Sequence, residues 1–325
     1  MKRTKTIVIG GILAASVAAI TLLVGSQIVV PQTADGQFVA GRHVNMVSGL
    51  TLPWGDPGLQ RQNEPSVSVS TRNPLHLVAG ANDYRTIDVP DPIPNVPGLP
   101  IQAAAARDAW IGLFKSLDGG QSWITTLLPG YPQDVSPDGA ASPIHGFDTA
   151  CDPSVRAGAN GLFFLSGIAF DRSGGAGAVF VSRFIDNNNL EKVRRDEYLR
   201  PIKDPIGYVD TRIVATGNPG LFLDMPSLAV DVPRTATLTE MVDGQLVPAA
   251  NVYLAYTVFP GLIDKNARSM VYLARSTNCG RTWGAPIKVS ESQQLIQRAV
   301  VAVAPNDPTG NTVYLAFRRF RFETL

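Results

Sequence analysis

The stretch Ser116–Trp123 reads Ser-Leu-Asp-Gly-Gly-Gln-Ser-Trp, and a second octet with the same spacing, Ser-Thr-Asn-Cys-Gly-Arg-Thr-Trp, occupies Ser276–Trp283. Strand-like apolar runs precede both octets, at 110–114 and 270–274. Serine, aspartate and asparagine side chains bond to nearby backbone N–H groups in turns, and the glycine at the fifth position of each octet can adopt a positive φ. The closing tryptophan supplies a large apolar group where the chain returns to a core. The octets therefore predict two β-hairpin turns of the same kind.

A longer repeat surrounds the octets. Three units open on a Pro-Ser-hydrophobic strand, in segments that begin at Asn63, Cys151 and Asp224, and a degenerate fourth copy begins at Arg298. A more apolar second strand follows each opening strand, and third strands are predicted at 110–115, 178–184 and 270–275. The period of roughly 70–90 residues fits four-stranded blades with loop insertions, arranged radially as in a β-propeller. Proline suits the first residue of a strand at each blade entry, where a missing N–H does little harm.

The octets and the repeat resemble the Asp-box hairpins and blades of the sialidase (neuraminidase) superfamily. This resemblance covers roughly residues 60–320 and implies an all-β fold, a sialidase-like β-propeller of four-stranded blades, about three and a half of which lie within 61–325. In that family the octet is a folding device remote from the catalytic centre. Because the family's propeller has six blades, we expect a truncated propeller or one component of an assembly; a compact four-bladed variant is the alternative.

The same resemblance implies two site residues. Asp108 stands eight residues before the serine of the first octet, the position of the family's acid/base, and an aspartate beside an apolar run is expected to have a raised pKa. Arg85 resembles a family arginine that faces a substrate carboxylate, which its planar fork can bind bidentately. However, Asn63 stands where the family has a first-strand arginine, and the family's tyrosine nucleophile and its glutamate partner belong to later blades that this sequence lacks.

The N-terminus predicts export. Met1–Thr6 is basic and is followed by an uncharged run at 7–30, which is long enough to span a bilayer as a helix. Residues 1–32 are therefore expected to form a signal-anchor or a cleaved signal peptide, residues 33–60 a linker or first strand, and residues 61–325 the propeller. Either interpretation places the body outside the cytoplasm, anchored at the cell surface through the N-terminal segment or secreted.

Composition excludes several function classes. The chain has 325 residues, 45% of them hydrophobic, and a net charge of +1, which gives no support for nucleic-acid binding. His43, His76 and His145 are isolated, so the sequence predicts no metal site, and no motif indicates a nucleotide or redox cofactor. Export permits a disulfide between Cys151 and Cys279, and small core cysteines are equally compatible with the sequence.

Three functions compete at this stage. The first is a binding protein that keeps a sialidase-like propeller and recognises a glycan or a protein, with catalysis doubtful because of Asn63. The alternative is an exo-α-sialidase-type glycoside hydrolase acting on terminal sialic-acid-like sugars. The third is a purely structural role at the cell surface. Two insertions, 88–100 and 129–147, are loops that either bind a partner or merely connect strands, and the oligomeric state stays open.

Overall fold

The computed structural model describes residues 42–47, 49, 54–56, 60–85, 108–172, 176–188, 192–195, 201–231, 238–261, 268–291, 294–304 and 312–320. The predicted N-terminal helix and the proline-rich insertion 88–100 lie outside these residues. Within them, no helix has the length and apolarity needed to cross a bilayer. The chain divides into two compact units, Met1–Asn45 and Met46–Leu325, and all the elements below belong to the second.

The described chain is built almost entirely of antiparallel β-sheets, as predicted. The first sheet runs in the order β1-β2-β3-β4, with strands Gln62–Val69, Leu77–Asp83, Trp110–Ser116 and Ile124–Leu127. The second has the order β5-β6-β7-β10, with strands Thr149–Ala157, Leu162–Phe170, Gly177–Asp186 and Ile206–Gly217. The third has the order β11-β14-β15-β16, with strands Leu221–Asp231, Asn251–Pro260, Met270–Ser276 and Ile287–Lys288.

Shorter elements complete the described fold. A fourth sheet pairs β17 with β18, Leu295–Val303 and Val313–Phe320. Two ribbons are inserted between sheet strands: β8 with β9, Lys192–Arg195 and Pro201–Asp204, and β12 with β13, Thr239–Val242 and Gln245–Pro248. The insertion at 129–147 contains a single-turn helix α1, Pro137–Ala140, whose N-cap Ser136 accepts a hydrogen bond from Gly139 N.

Both octets form the predicted hairpin turns. In the first, Ser116 Oγ accepts a hydrogen bond from Gly120 N at 2.8 Å, and Asp118 Oδ1 accepts from Ser122 N at 2.9 Å. The second octet repeats both bonds with Ser276 and Asn278, at 3.0 and 2.9 Å. The fifth-position glycines have φ of 87° and 72°, values that an L side chain rarely adopts. Asparagine replaces aspartate because both side chains offer the accepting oxygen that this turn requires.

Successive sheets meet through their first strands, since β1 contacts β5, β5 contacts β11, and β11 contacts β17. A repeated hydrogen bond joins them: the serine after each proline accepts from a backbone N–H of the next sheet. Ser66 Oγ accepts from Val155 N at 2.9 Å, and Ser154 and Ser227 accept from the third and fourth sheets at 3.4 Å. Buried apolar side chains fill the spaces between neighbouring sheets. The Pro-Ser repeat thus marks the inner strand of the first three sheets, and its degenerate copy marks that of the fourth.

The predicted opening, second and third strands form in the first three sheets, and in the first and third sheets a fourth strand follows the octet. The second sheet has no octet, and its fourth strand is β10, which pairs with β7 over almost its whole length. That strand was not predicted because its polar and apolar residues alternate irregularly around two bulges. The described residues between 42 and 60 contain no strand.

Candidate functional site

Each inner strand carries a β-bulge at the same point of the repeat. The bulged residues are Glu64, Asp152, Met225 and Arg298, with φ between 51° and 59°. Positive φ is uncommon for side chains of this size and costs about 1–2 kcal/mol for each residue. A bulge redirects the side chain at that position and is often found beside functional sites. The recurrence of the bulge in four sheets therefore marks a site built by the repeat itself.

The four bulges line one cavity, which we call the axial cavity. It has a volume of about 540 Å³, within the range of small-molecule binding sites. Each inner strand contributes its bulged residue and the two that follow it, and Arg156 is added from β5. The four bulged side chains place two acids, one thioether and one guanidinium around the same opening.

A chain of hydrogen bonds organises the acidic side of the cavity. Asn82 donates weakly from Nδ2 to Glu64 Oε2 at 3.5 Å, and its Oδ1 accepts from Asp152 N at 2.7 Å. The backbone N–H of Met225 donates both to Asp152 Oδ2 at 3.3 Å and to Asp224 Oδ1 at 3.0 Å. Two carboxylates that share one donor lie close together, and those of Asp152 and Asp224 are within hydrogen-bonding reach of each other.

The surroundings of this group raise the pKa of two of its carboxyl groups, those of Asp224 and Glu64. Burial, together with the hydrogen bond and charge of Asp152, raises the pKa of Asp224 to about 7. Burial and the Asp152 charge also raise the pKa of Glu64, against the opposing charge of Arg298. Two neighbouring carboxyl groups cannot both ionise easily, so the charge of Asp152 opposes the ionisation of Asp224.

This pairing predicts a pH-dependent stability. The pKa of Asp224 is higher in the folded chain than in the unfolded chain, so the folded state binds more protons between about pH 4 and about pH 7. The contribution of Asp224 to the free energy of unfolding therefore falls as the pH rises through this window and stays low above it. We expect Asp224→Asn to be more stable than the wild type at pH 8, by on the order of 2 kcal/mol, with the advantage shrinking towards pH 5.

Urea denaturation of the wild type and variant at both pH values measures this difference directly. Asp243→Asn is the matched control, because it makes the same chemical change in the β12–β13 turn, where φ is 47° and asparagine is well tolerated. An advantage of Asp224→Asn that is the same at pH 5 and pH 8 would contradict the raised pKa of Asp224.

Asp108 lies directly before β3, at the edge between the first two sheets. It accepts hydrogen bonds from the Arg172 guanidinium and, at 2.7 Å, from Ala109 N. Burial opposes its ionisation, but the hydrogen bonds and the charge of Arg172 outweigh burial and hold the pKa of Asp108 below its ordinary value. The expectation of a raised pKa is wrong, since a partner 64 residues away in the sequence supplies the compensating charge. The catalytic role predicted for Asp108 stays a prediction.

Arg85 is fully buried at the end of β2. Its guanidinium forms an ion pair with Asp83 and donates to Thr125 Oγ1 at 3.0 Å. Gly112 packs so tightly against this pair that an added Cβ would lie 2.5 Å from Asp83 Oδ2. Arg85 is therefore one half of a buried ion pair, it is not among the residues that line the axial cavity, and its role in binding a carboxylate stays a prediction.

The structure also describes the contacts of one histidine and both cysteines that the sequence singled out. His76 is buried, and its Nδ1 lies 2.8 Å from Asp186 Oδ1. Cys151 and Cys279 are both free thiols, and Cys279 Sγ accepts a hydrogen bond from Ala250 N at 3.3 Å. Among the described residues, no group of three or more histidine, cysteine, aspartate or glutamate side chains is placed to hold a metal ion.

The axial cavity itself was not predicted, although its signal is present in the repeat. Aligning the three Pro-Ser motifs and the degenerate fourth copy puts Glu64, Asp152, Met225 and Arg298 at one position. Charged side chains at three of these four equivalent positions could have indicated a common solvent-lined opening. The bulge that turns them towards one another depends on strand register, which the sequence of one strand does not reveal.

Comparisons with known proteins give structural similarities only. No protein-family profile matches the sequence. No curated protein matches it. Trypanosoma rangeli sialidase in complex with the inhibitor DANA is 12% identical with a TM-score of 0.35, over 74% of this chain and 32% of the sialidase. The same sialidase with 2,3-difluorosialic acid as a covalent intermediate is 11% identical with a TM-score of 0.37, over 89% and 36%.

A further similarity is to an exo-1,5-α-L-arabinanase from a bovine ruminal metagenomic library, with 10% identity and a TM-score of 0.27 over 78% of this chain and 92% of the arabinanase. The chain spans about a third of the length of the sialidase structures that it matches.

Proposed function

We propose that this chain is an exported, sialidase-like propeller protein that binds a glycan in the axial cavity. One observation supports this function above the others: the inner strands of four sheets direct their bulged side chains into a single cavity of about 540 Å³. A repeat that places recognition groups at one opening suits a small, polar ligand. Export rests on the basic and uncharged N-terminal segments of the sequence, which lie outside the described residues.

The chemistry of the lining favours a polyhydroxylated ligand. Carboxylates, serine hydroxyls and guanidinium groups offer acceptors and donors for sugar hydroxyls, while Met225 and the prolines offer apolar contact for ring C–H groups. A concave site of this size accommodates a sugar unit, whereas a stable protein partner requires roughly 800 Å² of surface on each side. Glycan binding is therefore preferred to protein binding.

The placement of Asp152 and Asp224 favours glycan binding over glycoside hydrolysis. Glycosidases that use two carboxyl groups hold them about 5–5.5 Å apart when retaining and about 6.5–9.5 Å apart when inverting. Asp152 and Asp224 both accept from the backbone N–H of Met225, so they lie side by side rather than on opposite faces of a sugar ring.

A bulky residue in the cavity is expected to abolish glycan binding. Val300 lines the axial cavity and is 55% exposed, so Val300→Trp places an indole in the ligand's space without opening a core. We expect at least a tenfold loss of affinity on a glycan array or by isothermal titration, and a change in the free energy of unfolding within about 0.5 kcal/mol. Leu246→Trp, at a 62% exposed position on the β12–β13 ribbon, is the control and should bind as the wild type does. Equal losses in the two variants would refute the axial site.

The exo-sialidase alternative requires different residues. Asp108 would donate a proton and Arg85 would bind a carboxylate, but both already have charged partners within the fold. If this mechanism operates, the wild type hydrolyses a fluorogenic sialoside, and Asp108→Asn lowers the rate at least a hundredfold, the usual contribution of general acid–base catalysis. Our proposal predicts no sialoside hydrolysis above background in either protein, so turnover by the wild type would favour the alternative.

A further inference from the structure

The fourth sheet presents the free edge of a strand. In each of the first three sheets the second strand is hydrogen-bonded on both edges, between the inner strand and a third strand. β18 has the same place in the fourth sheet, and among the described residues only β17 pairs with it. An unpaired strand edge carries a row of backbone N–H and C=O groups that can bind another strand.

The register of β18 identifies the backbone groups at this edge. Ala304 N donates to Thr312 O at 3.0 Å, so the backbone groups of Thr312 point to β17. The bulge of this sheet lies in β17, so successive residues of β18 point their backbone groups alternately to β17 and to the free edge. Four residues therefore offer an N–H and a C=O at the free edge: Val313, Leu315, Phe317 and Arg319.

The side chains of β18 favour another strand as its neighbour. Val313 and Leu315 are half-buried against the apolar cluster between the third and fourth sheets, and Phe317, on the same face, is 39% exposed. Apolar side chains at alternate positions of a strand beside β18 extend this cluster. The third strands of the first three sheets, β3, β7 and β15, carry buried apolar side chains next to the second strand in this way.

Charge determines which kind of strand fits the edge. β17 and β18 together carry three arginines, Arg298, Arg318 and Arg319, and no acidic residue. Arg318 and Arg319 are exposed, and no carboxylate in the described part of the chain forms an ion pair with either. A second copy of β18 would bring two more arginines and no acid, and like charges opposite one another destabilise a sheet. An acidic strand has the complementary charge.

We propose that the free edge of β18 binds an extended acidic segment of another protein, which adds to the fourth sheet as an antiparallel third strand. Main-chain hydrogen bonds give such strand addition its affinity, and side chains at alternate positions give it specificity. Carboxylates of the segment lie opposite Arg318 and Arg319, and its apolar side chains lie beside Leu315 and Phe317. This surface is independent of glycan binding, because the residues that line the axial cavity include none of β18.

Three peptides that differ at two positions test the charge requirement. The first, Glu-Glu-Tyr-Thr-Val-Thr-Val, aligns antiparallel to β18 with its glutamates opposite Arg319 and Arg318 and its tyrosine opposite Phe317. The other two peptides have glutamine or lysine in place of both glutamates.

Fluorescence anisotropy of the labelled peptides with the full chain measures their affinities. At low salt we expect the glutamate peptide to bind about fivefold more tightly than the glutamine peptide, and the lysine peptide to bind least. Because the two arginines are exposed, this preference is expected to shrink in about 0.5 M salt. Absence of saturable binding by the glutamate peptide, or equal binding of the three peptides, overturns the proposal.

Methylation of single peptide nitrogens tests the backbone pairing. The peptide residues opposite Phe317 and Leu315 exchange N–H···O bonds with β18, whereas the residue opposite Ala316 points its N–H away from β18. A methyl group on the nitrogen of the tyrosine or of the first valine removes a donor to β18, so we expect at least about tenfold weaker binding. The same methyl group on the threonine between them is the matched control and is expected to weaken binding less than about threefold. Equal losses at the three positions overturn strand addition.

A pair of double variants assigns the charge preference to β18. Arg318→Gln with Arg319→Gln is expected to bind the glutamate and glutamine peptides equally, within about twofold, because both cross-strand charge pairs are lost. Arg212→Gln with Arg281→Gln is the control, since it removes two exposed arginines from the second and third sheets and should keep the preference for glutamate. Retention of that preference by the β18 variant overturns the proposal.

Sedimentation velocity distinguishes the acidic segment from a second copy of this chain. If the edge of β18 binds an acidic strand, the glutamate peptide binds to the monomer and the sedimentation coefficient does not rise with protein concentration. Self-association that the glutamate peptide does not reverse assigns the edge to a second copy and overturns the proposal. A circular dichroism spectrum identical to that of the wild type confirms that the comparisons between variants concern folded protein.

Discussion

Replacing Asp83 by alanine is expected to lower the free energy of unfolding by about 3–5 kcal/mol. Asp83 and Arg85 are both fully buried and form an ion pair. Without the carboxylate, the guanidinium stays in the protein interior and loses this buried charged partner. Breaking a buried pair from one side is costly for this reason, even where the intact pair adds little net stability.

Chemical denaturation of Asp83→Ala, Arg85→Met and the double variant forms a cycle that measures the coupling. The double variant is expected to be more stable than Asp83→Ala, because it no longer buries a guanidinium that has lost its ion-pair partner Asp83. Glu240→Ala provides the control, since it breaks an exposed pair with Arg281 and should cost less than about 1 kcal/mol. If Asp83→Ala lowers the free energy of unfolding no more than Glu240→Ala does, Arg85 finds water or another partner in the variant.

Replacing Asp186 by alanine is expected to cost a similar amount, about 3–5 kcal/mol. Its carboxylate accepts from Ser70 Oγ at 2.6 Å and from Asn188 N at 2.7 Å, and it lies 2.8 Å from His76 Nδ1. Ser70 and His76 belong to the turn between β1 and β2, whereas Asp186 ends β7. One buried carboxylate therefore fastens the first sheet to the second, and its removal leaves several buried polar groups without their partner.

Thermal and urea unfolding of Asp186→Ala, compared with Asp186→Asn, test this prediction. Asparagine retains one accepting oxygen, so its cost is expected to be about half that of alanine. Ser290→Ala, which removes a single half-buried hydroxyl bonded to Val271 N at 2.8 Å, should cost about 1 kcal/mol. If Asp186→Ala costs no more than Ser290→Ala, the link between the sheets is not important for stability.

The local features of this fold were predictable from the sequence. The octets combine turn-forming polar residues with glycine at the position that requires a positive φ, so their hairpins depend on a few neighbouring residues. The second and third strands are continuous apolar runs, as strands packed on both faces must be. By contrast, β10 carries an irregular pattern, because its two bulges shift which residues face the core.

The candidate site depends on longer-range geometry. Asp83 and Arg85 are two residues apart, and strand periodicity alone suggests that they face the same side. The partner of Asp108 is Arg172, in a different sheet, so the lowered pKa of this carboxyl could not be predicted from its neighbours. Asp152 and Asp224 likewise share the Met225 N–H only because two bulges bring inner strands of successive sheets together.

The bulges separate the residues that specify the ligand from the residues that hold the sheets together. The proline and serine after the bulge begin the strand and form the hydrogen bond to the next sheet. The bulged position itself is occupied by glutamate, aspartate, methionine or arginine. A library that randomises Glu64, Asp152, Met225 and Arg298 would thus explore new specificities on a constant scaffold. Substitutions at these four positions could therefore change the ligand that the cavity binds while the fold stays the same.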